Sequence, residues 1–231
     1  MSSKILLLET STSLCSAAIA SDSTIASYIQ SDEPRAHASK CAVFIDELLR
    51  RTGLDCNGLD AVAVSSGPGS YTGLRVGSST AKGICFGAGI PLIAVSTPEI
   101  LVRQAIDEGL VPEGCTHIVP MIDARRMEVY TAVFTADGNL QQKVRAQVIE
   151  DGCFDDILED GTCLFIGDGA AKCKDILNHR NARFEQCCPK ASAMLHPALK
   201  ALEEKRFEST AYFEPFYLKD FVATVSGKKL F

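Results

Sequence analysis

Apolar and polar positions change rhythm several times along this chain, and each change marks an element. Residues 4–9 hold four consecutive aliphatics, Ile5-Leu6-Leu7-Leu8, closed by Glu9, which predicts a short buried strand. Thr10-Ser11-Thr12-Ser13 makes a polar turn. Apolar runs over 14–20 and 24–30, parted by Asp22-Ser23, predict two more strands and so two successive hairpins. A loop with Pro34 leads to Ser39, placed to cap a helix over 39–52. There Cys41, Phe44, Ile45, Leu48 and Leu49 form one apolar stripe, and Gly53 stands at the C-terminal cap. Ala61–Ser65 reads as a strand covered on both faces, 74–86 as a helix, and Leu92–Val95 as a strand after Gly89-Ile90-Pro91. Ser96-Thr97-Pro98-Glu99 starts another helix, with a hydroxyl cap and proline in the first turn.

Around 107–115 the pattern lapses into Glu, Gly and Pro, which places a boundary between a first unit, 1–106, and a smaller second unit, 107–231. Strands are expected over 117–122, 128–135 and 142–149, with a turn at Asp137-Gly138-Asn139. A helix-like 155–158 and a strand over 163–166 follow. A helix opened by Gly167-Asp168-Gly169 runs to Leu177, and a last helix covers 192–205. Residues 214–219 read as an ordered extended segment, with the tail packing back on the first unit, and 223–231 as a frayed end. Each half begins with hairpins and continues with strand–helix units. The fold class is therefore α/β with mixed sheets and a duplicated architecture.

The stretch 60–88 is the most informative. A buried strand runs into Ser66-Gly67-Pro68-Gly69-Ser70-Tyr71-Thr72-Gly73, which cannot be helical, and then into a helix. That succession puts backbone N–H groups at a helix N-terminus, where anions are favoured. Within the helix Gly73, Gly77 and Ala81 form one row of small residues, and Ser79, Gly83 and Gly87 a second. Each interior glycine costs about 1 kcal/mol against alanine. Such rows imply close approach of another backbone, expected to be a helix of this chain or of a partner. On the partner reading, leucine at Gly77 breaks the contact and leaves the monomer folded.

Composition narrows the function. A net charge of −6 argues against autonomous nucleic-acid binding and suits docking on a basic partner. Ten cysteines occur without a C-x-x-C pair and mostly inside apolar patterns, so free thiols are expected. No apolar run is long enough for a signal peptide or a membrane span, which points to the cytoplasm.

Candidate chemistry is sparse. Glu9-Thr10-Ser11-Thr12 could hold a phosphate on turn N–H groups while the acid orients a hydrated metal ion, although a plain polar turn explains the same residues. Gly67, Gly69 and Ser70 could add a second anion loop. Gly67-x-Gly69-x-x-x-Gly73 fits neither a dinucleotide loop nor a P-loop. His37, His117, His179 and His196 include no pair at i, i+4, and no G-x-S-x-G elbow occurs, so neither a metal site nor a catalytic set is expected. Asp123-Ala124-Arg125-Arg126 is a charged turn that could clamp a ligand or simply face solvent.

The run Gly67 to Gly77, with Ala81-Lys82-Gly83, resembles the signature of the bacterial TsaB family. So do Glu9-Thr10-Ser11-Thr12, His37, Ile45-Asp46-Glu47-Leu48-Leu49, Gly89-Ile90-Pro91-Leu92, Val119-Pro120-Met121-Ile122-Asp123-Ala124-Arg125 with Glu128-Val129-Tyr130, and Pro215-Phe216-Tyr217-Leu218-Lys219. The resemblance implies an actin/Hsp70/sugar-kinase-like (ASKHA, ribonuclease H-like) fold of two related domains. It implies a non-catalytic subunit of tRNA threonylcarbamoyladenosine modification, working with a TsaD-like catalytic subunit and a TsaE-like ATPase and meeting tRNA only through the complex. A homodimer is expected in isolation. No cofactor is required, and ATP or ADP binding is left open. Family dimerisation through the two N-terminal helices places the partner interface on Cys41, Ile45, Leu48, Gly73, Leu74, Gly77, Ala81 and Cys85. The family acid is more often Asp where this chain has Glu9, and one methylene moves a carboxylate by roughly 1 Å, which argues against nucleotide hydrolysis. The rival functions are a nucleotide-dependent ASKHA enzyme, either hydrolase or kinase, and a glycoprotease.

Overall fold

A computed structural model of the chain describes residues 3–219. The expected frayed segment 223–231 lies outside the described residues. Among the described residues ten strands form two five-stranded sheets. The first is built from β1 (Lys4–Glu9), β2 (Cys15–Ser21), β3 (Thr24–Ser31), β4 (Ala61–Ser65) and β5 (Leu92–Val95), in the order β3-β2-β1-β4-β5. The second contains β6 (Cys115–Asp123), β7 (Glu128–Thr135), β8 (Leu140–Val148), β9 (Thr162–Ile166) and β10 (Ala182–Glu185), in the order β8-β7-β6-β9-β10. In each sheet the first three strands of its half pair antiparallel and the next two join in parallel. The duplication suggested by the hairpin-then-crossover pattern is therefore a repeat of one topology.

Helices α1 (His37–Thr52) and α2 (Tyr71–Ala88) cover one face of the first sheet. Helix α3 (Thr97–Asp107) lies between the sheets. Its Ile100 packs with the first, while Val102 and Ala105 pack with Ile118, Ala132 and Ile166 of the second. The second half returns the exchange: a 3-10 turn over Ala191–Met194 and helix α6 (Leu195–Glu203) bury Met194, Leu195 and Ala198 against Ile5, Leu7 and Ile93. The short helices α4 (Asp155–Asp160) and α5 (Ala170–Cys173) belong to the second half.

Several expectations shift. Helix α1 starts at His37, and Ser39 does not cap it; its hydroxyl donates to Ala36 O instead (3.0 Å). The helix expected to run to Leu177 is one turn, α5. The last helix begins at Leu195, after the 3-10 turn. Strand β10 has no counterpart in the pattern, because four residues with one central aromatic give too little alternation. Gly53, Ser70 and Ser96 cap as their chemistry predicts. Gly53 is left-handed at φ 67°, and the two serines accept from Gly73 N and Glu99 N. All ten cysteines are free thiols.

Candidate functional site

The loop after β1 and the turn before α2 are pressed together, and glycines make this contact. Ser70 N donates to Ser11 O (2.6 Å), and a Cβ on Gly69 would collide with that same carbonyl. A Cβ on Gly73 would collide with Thr10 O, and one on Gly77 with Thr10 Oγ1. The row Gly73-Gly77-Ala81 thus lets the start of α2 lie on the chain's own hairpin turn. At Gly73 and Gly77 it is this turn that the row faces, while Ala81 packs in the core shared with α1.

The structure buries all eight residues of the expected partner interface within this chain. Cys41, Ile45, Leu48, Leu74, Ala81 and Cys85 are buried in the core between α1, α2 and the sheet, and Gly73 and Gly77 are buried beside Thr10. The physical reason is simple: the apolar stripe that identifies a helix is the stripe it needs to cover its own sheet. The other row behaves differently. Ser79, Gly83 and Gly87 are exposed, and among the described residues nothing lies within 4 Å of a Cβ built on Gly83 or Gly87. On the same helix Phe86 is 86% exposed, and Val43 on α1 is 59% exposed.

The anion-loop residues divide into two groups. Glu9 is fully buried. One carboxylate oxygen accepts from Ser11 N (2.5 Å), the other has no partner, and desolvation pushes its pKa up to about 7. Thr10 N is held by Ser65 Oγ, and its hydroxyl is also without a partner. Ser11 and Thr12, by contrast, line a cleft of about 840 Å³ between the two halves, together with Gly69, Ser70 and the first turn of α2. Gly67 sits behind this wall at φ 98°, before a cis peptide bond to Pro68; its carbonyl accepts from Thr97 N.

The cleft also gathers residues the sequence reading did not combine. Arg35, His37 and Ala38 enter from the start of α1; Ile122, Asp123, Arg125, Tyr130 and Asp168 come from the second half. The charged turn at Asp123–Arg126 therefore borders the cleft, and its acid is engaged: Asp123 accepts from Arg125 N (3.0 Å) and from Lys172 Nζ. Asp168 accepts from Asp123 N (2.9 Å), and burial pushes its carboxyl up to about 6. The segment 216–219 closes one side. Phe216 N donates to Ser66 O (2.7 Å), the Tyr217 ring lies 5.0 Å from that of Tyr71, and Lys219 pairs with Glu128 on β7. Nothing in the local sequence announces these partners, except that a chain of two halves must have a junction. Among the described residues no group of three or more His, Cys, Asp or Glu is placed to hold a metal ion, and no helix is long and apolar enough to cross a membrane.

Two mixed five-stranded sheets of one repeated topology, with a cleft lined by both halves, define the chain as an α/β protein. The sequence model of the family described as TsaD, tRNA N6-adenosine threonylcarbamoyltransferase, matches residues 24–226. The chain is 30% identical to the tRNA threonylcarbamoyladenosine biosynthesis protein TsaB of Haemophilus influenzae, with 98% of this chain and 96% of that protein covered. Against the TsaB of Escherichia coli the figures are 28%, 95% and 96%. A crystal structure from Pseudomonas aeruginosa, of a protein described as similar to peptidase YEAZ, superposes with a TM-score of 0.83 at 26% identity, covering 94% of this chain and all of that one. The chain belongs to the family that this model describes and, within it, to the TsaB proteins of tRNA threonylcarbamoyladenosine biosynthesis.

Proposed function

We propose that this chain serves tRNA threonylcarbamoyladenosine biosynthesis as a partner-binding subunit without an active site of its own. It docks a TsaD-like catalytic subunit on the outward face of α1 and α2. One observation carries the reading: on α2, among the described residues, Gly83 and Gly87 leave open space beside an almost fully exposed Phe86. A bare helix surface with one projecting ring lets a foreign helix come close and gives it an anchor. The inward position of Glu9, away from the cleft, supports the non-catalytic half of the reading. A second copy would use the same face when the catalytic subunit is absent, and a TsaE-like ATPase would join the assembled pair. A cytoplasmic setting goes with this role, and tRNA is met only through the complex.

The test is Gly83→Leu, mixed with a TsaD-like subunit and followed by size-exclusion chromatography and unfolding. The expected result is loss of the complex by a monomer that unfolds as the parent does. A complex that forms undiminished overturns the docking face.

A further inference from the structure

We propose that Cys187 and Cys188 form a thiol–disulfide switch at the point where the chain crosses from one half to the other. Oxidation of the pair by a low-molecular-weight disulfide loosens the junction there, and reduction restores it. They are the one adjacent pair among the ten cysteines. The contacts change sides between them. On the second-half side, Gln186 Oε1 accepts from Ala171 N (2.8 Å) and Gln186 Nε2 donates to Asp168 O (2.9 Å), while Cys187 packs against the cluster of Ile118, Phe134 and Ile166. On the first-half side, Cys188 Sγ lies 3.5 Å from Ser13 Oγ in the turn before β2. Two residues on, Lys190 N donates to Gln104 Oε1 of α3 (3.0 Å), and Ala191 N donates to Ser16 Oγ of β2 (2.9 Å).

The two thiols therefore engage different halves. A disulfide needs both sulfurs on one side of the chain. Forming it takes Cys187 out of its apolar cluster or Cys188 away from Ser13, and one of the contacts that fix the crossing is lost. Consecutive Cα atoms across a trans peptide are about 3.8 Å apart, below the roughly 4.4–6.8 Å that disulfides usually span. A bond between neighbours is strained and easily reduced, which suits a reversible switch better than a permanent staple.

Both residues are partly exposed, and the contact of Cys188 with Ser13 is at the surface. Cys187 is set against the core, and desolvation pushes its thiol up to about 12. The first attack therefore falls to Cys188: its thiolate displaces one thiol from the small disulfide and becomes a mixed disulfide. The bulk of that adduct displaces Cys188 from Ser13 and lets water reach Cys187. The Cys187 thiolate then attacks Cys188 Sγ and expels the second thiol. Two electrons pass from the cysteine sulfurs to the small disulfide, and the two cysteine protons end on the two released thiols. Cys15, Cys41, Cys85, Cys163 and Cys173 are buried and out of reach of the same reagent. The inference stands apart from the docking reading, since it uses no residue of α1 or α2.

The test incubates the full chain with oxidised glutathione, blocks remaining thiols with an alkylating agent, and maps disulfides by peptide mass spectrometry. Amide hydrogen exchange is followed on the same samples before and after dithiothreitol. The expected result is a Cys187–Cys188 disulfide, with exchange at Lys190 and Ala191 about tenfold faster than in the reduced chain and restored by dithiothreitol. Cys188→Ser keeps a hydroxyl beside Ser13, so folding is not at stake, and should abolish both the bond and the change in exchange. Cys187→Ala should stop the reaction at a glutathione adduct on Cys188. Three results would overturn the switch: no bond between 187 and 188, a bond that leaves exchange at Lys190 and Ala191 unchanged, or a change in exchange that survives Cys188→Ser.

Discussion

The two small-residue rows of α2 have nearly the same composition and opposite fates. Gly73, Gly77 and Ala81 turn inward, where the hairpin turn at Thr10-Ser11 touches the helix backbone. Ser79, Gly83 and Gly87 turn outward, the two glycines to space that no described residue fills. A glycine on the first row is a steric necessity of the fold. On the second row it carries a helix-propensity penalty of about 1 kcal/mol that nothing among the described residues offsets. The difference teaches that small-residue spacing shows where backbones approach but not whose backbone it is. The unexplained row is the one to read as a surface.

The comparison can be broken most severely at Gly77. Gly77→Leu should cost about 3 kcal/mol or more, or prevent folding, because its side chain must displace Thr10 in a packed core. Urea unfolding that differs from the parent by less than about 1 kcal/mol would erase the distinction between the rows.

Glu9 probes the turn on which the inward row rests. Its pKa is raised from 4.5 to about 7 in the folded protein, so the folded state holds a proton that the unfolded chain releases. Stability from this group is therefore complete below pH 4.5 and falls as pH rises from 4.5 to about 7, by about 3 kcal/mol at most. Glu9→Gln should flatten that slope and gain about 2 kcal/mol at pH 8. Parallel pH profiles of parent and variant in urea unfolding would contradict it.

Phe86→Ala addresses the outward row. Its unfolding should stay within about 0.5 kcal/mol of the parent, while affinity for a TsaD-like subunit, measured by calorimetry, should fall by about 2 kcal/mol. The smallest effect is expected for Gly83→Ala: a gain of up to about 1 kcal/mol in thermal or urea unfolding, since the methyl meets nothing and the helix improves. A loss there would mean that the row is covered after all.

Much of the fold could be read from the residues because hairpins and amphipathic helices carry local signals. The stripe of Cys41, Ile45 and Leu48 and the left-handed Gly53 defined α1 to within two residues. What failed was non-local or short. Whether Gly77 faces Thr10 or a stranger depends on a contact 67 positions away in the chain, and glycine has no side chain whose polarity could decide. Strand β10 and helix α5 span four residues each, too few for a period. Ser39 looked like a cap because it precedes the apolar stripe, but the helix continues one half-turn upstream of it. At the cleft, the Ser11-Thr12 and Gly69-Ser70 loops were legible as polar turns. Their meeting with His37, Arg35, Arg125 and the 216–219 segment was not, since these lie in three further stretches of chain.

The swap of covering elements between the halves has its own consequence. Helix α3 leaves the first sheet to roof the second, while α6 comes back to roof the first. Each half expressed alone would present bare aliphatic surface and aggregate. Two pieces cut in the connector bearing Gly109 and Gly114, both left-handed, would instead reassemble from separate polypeptides, as interlocked parts do.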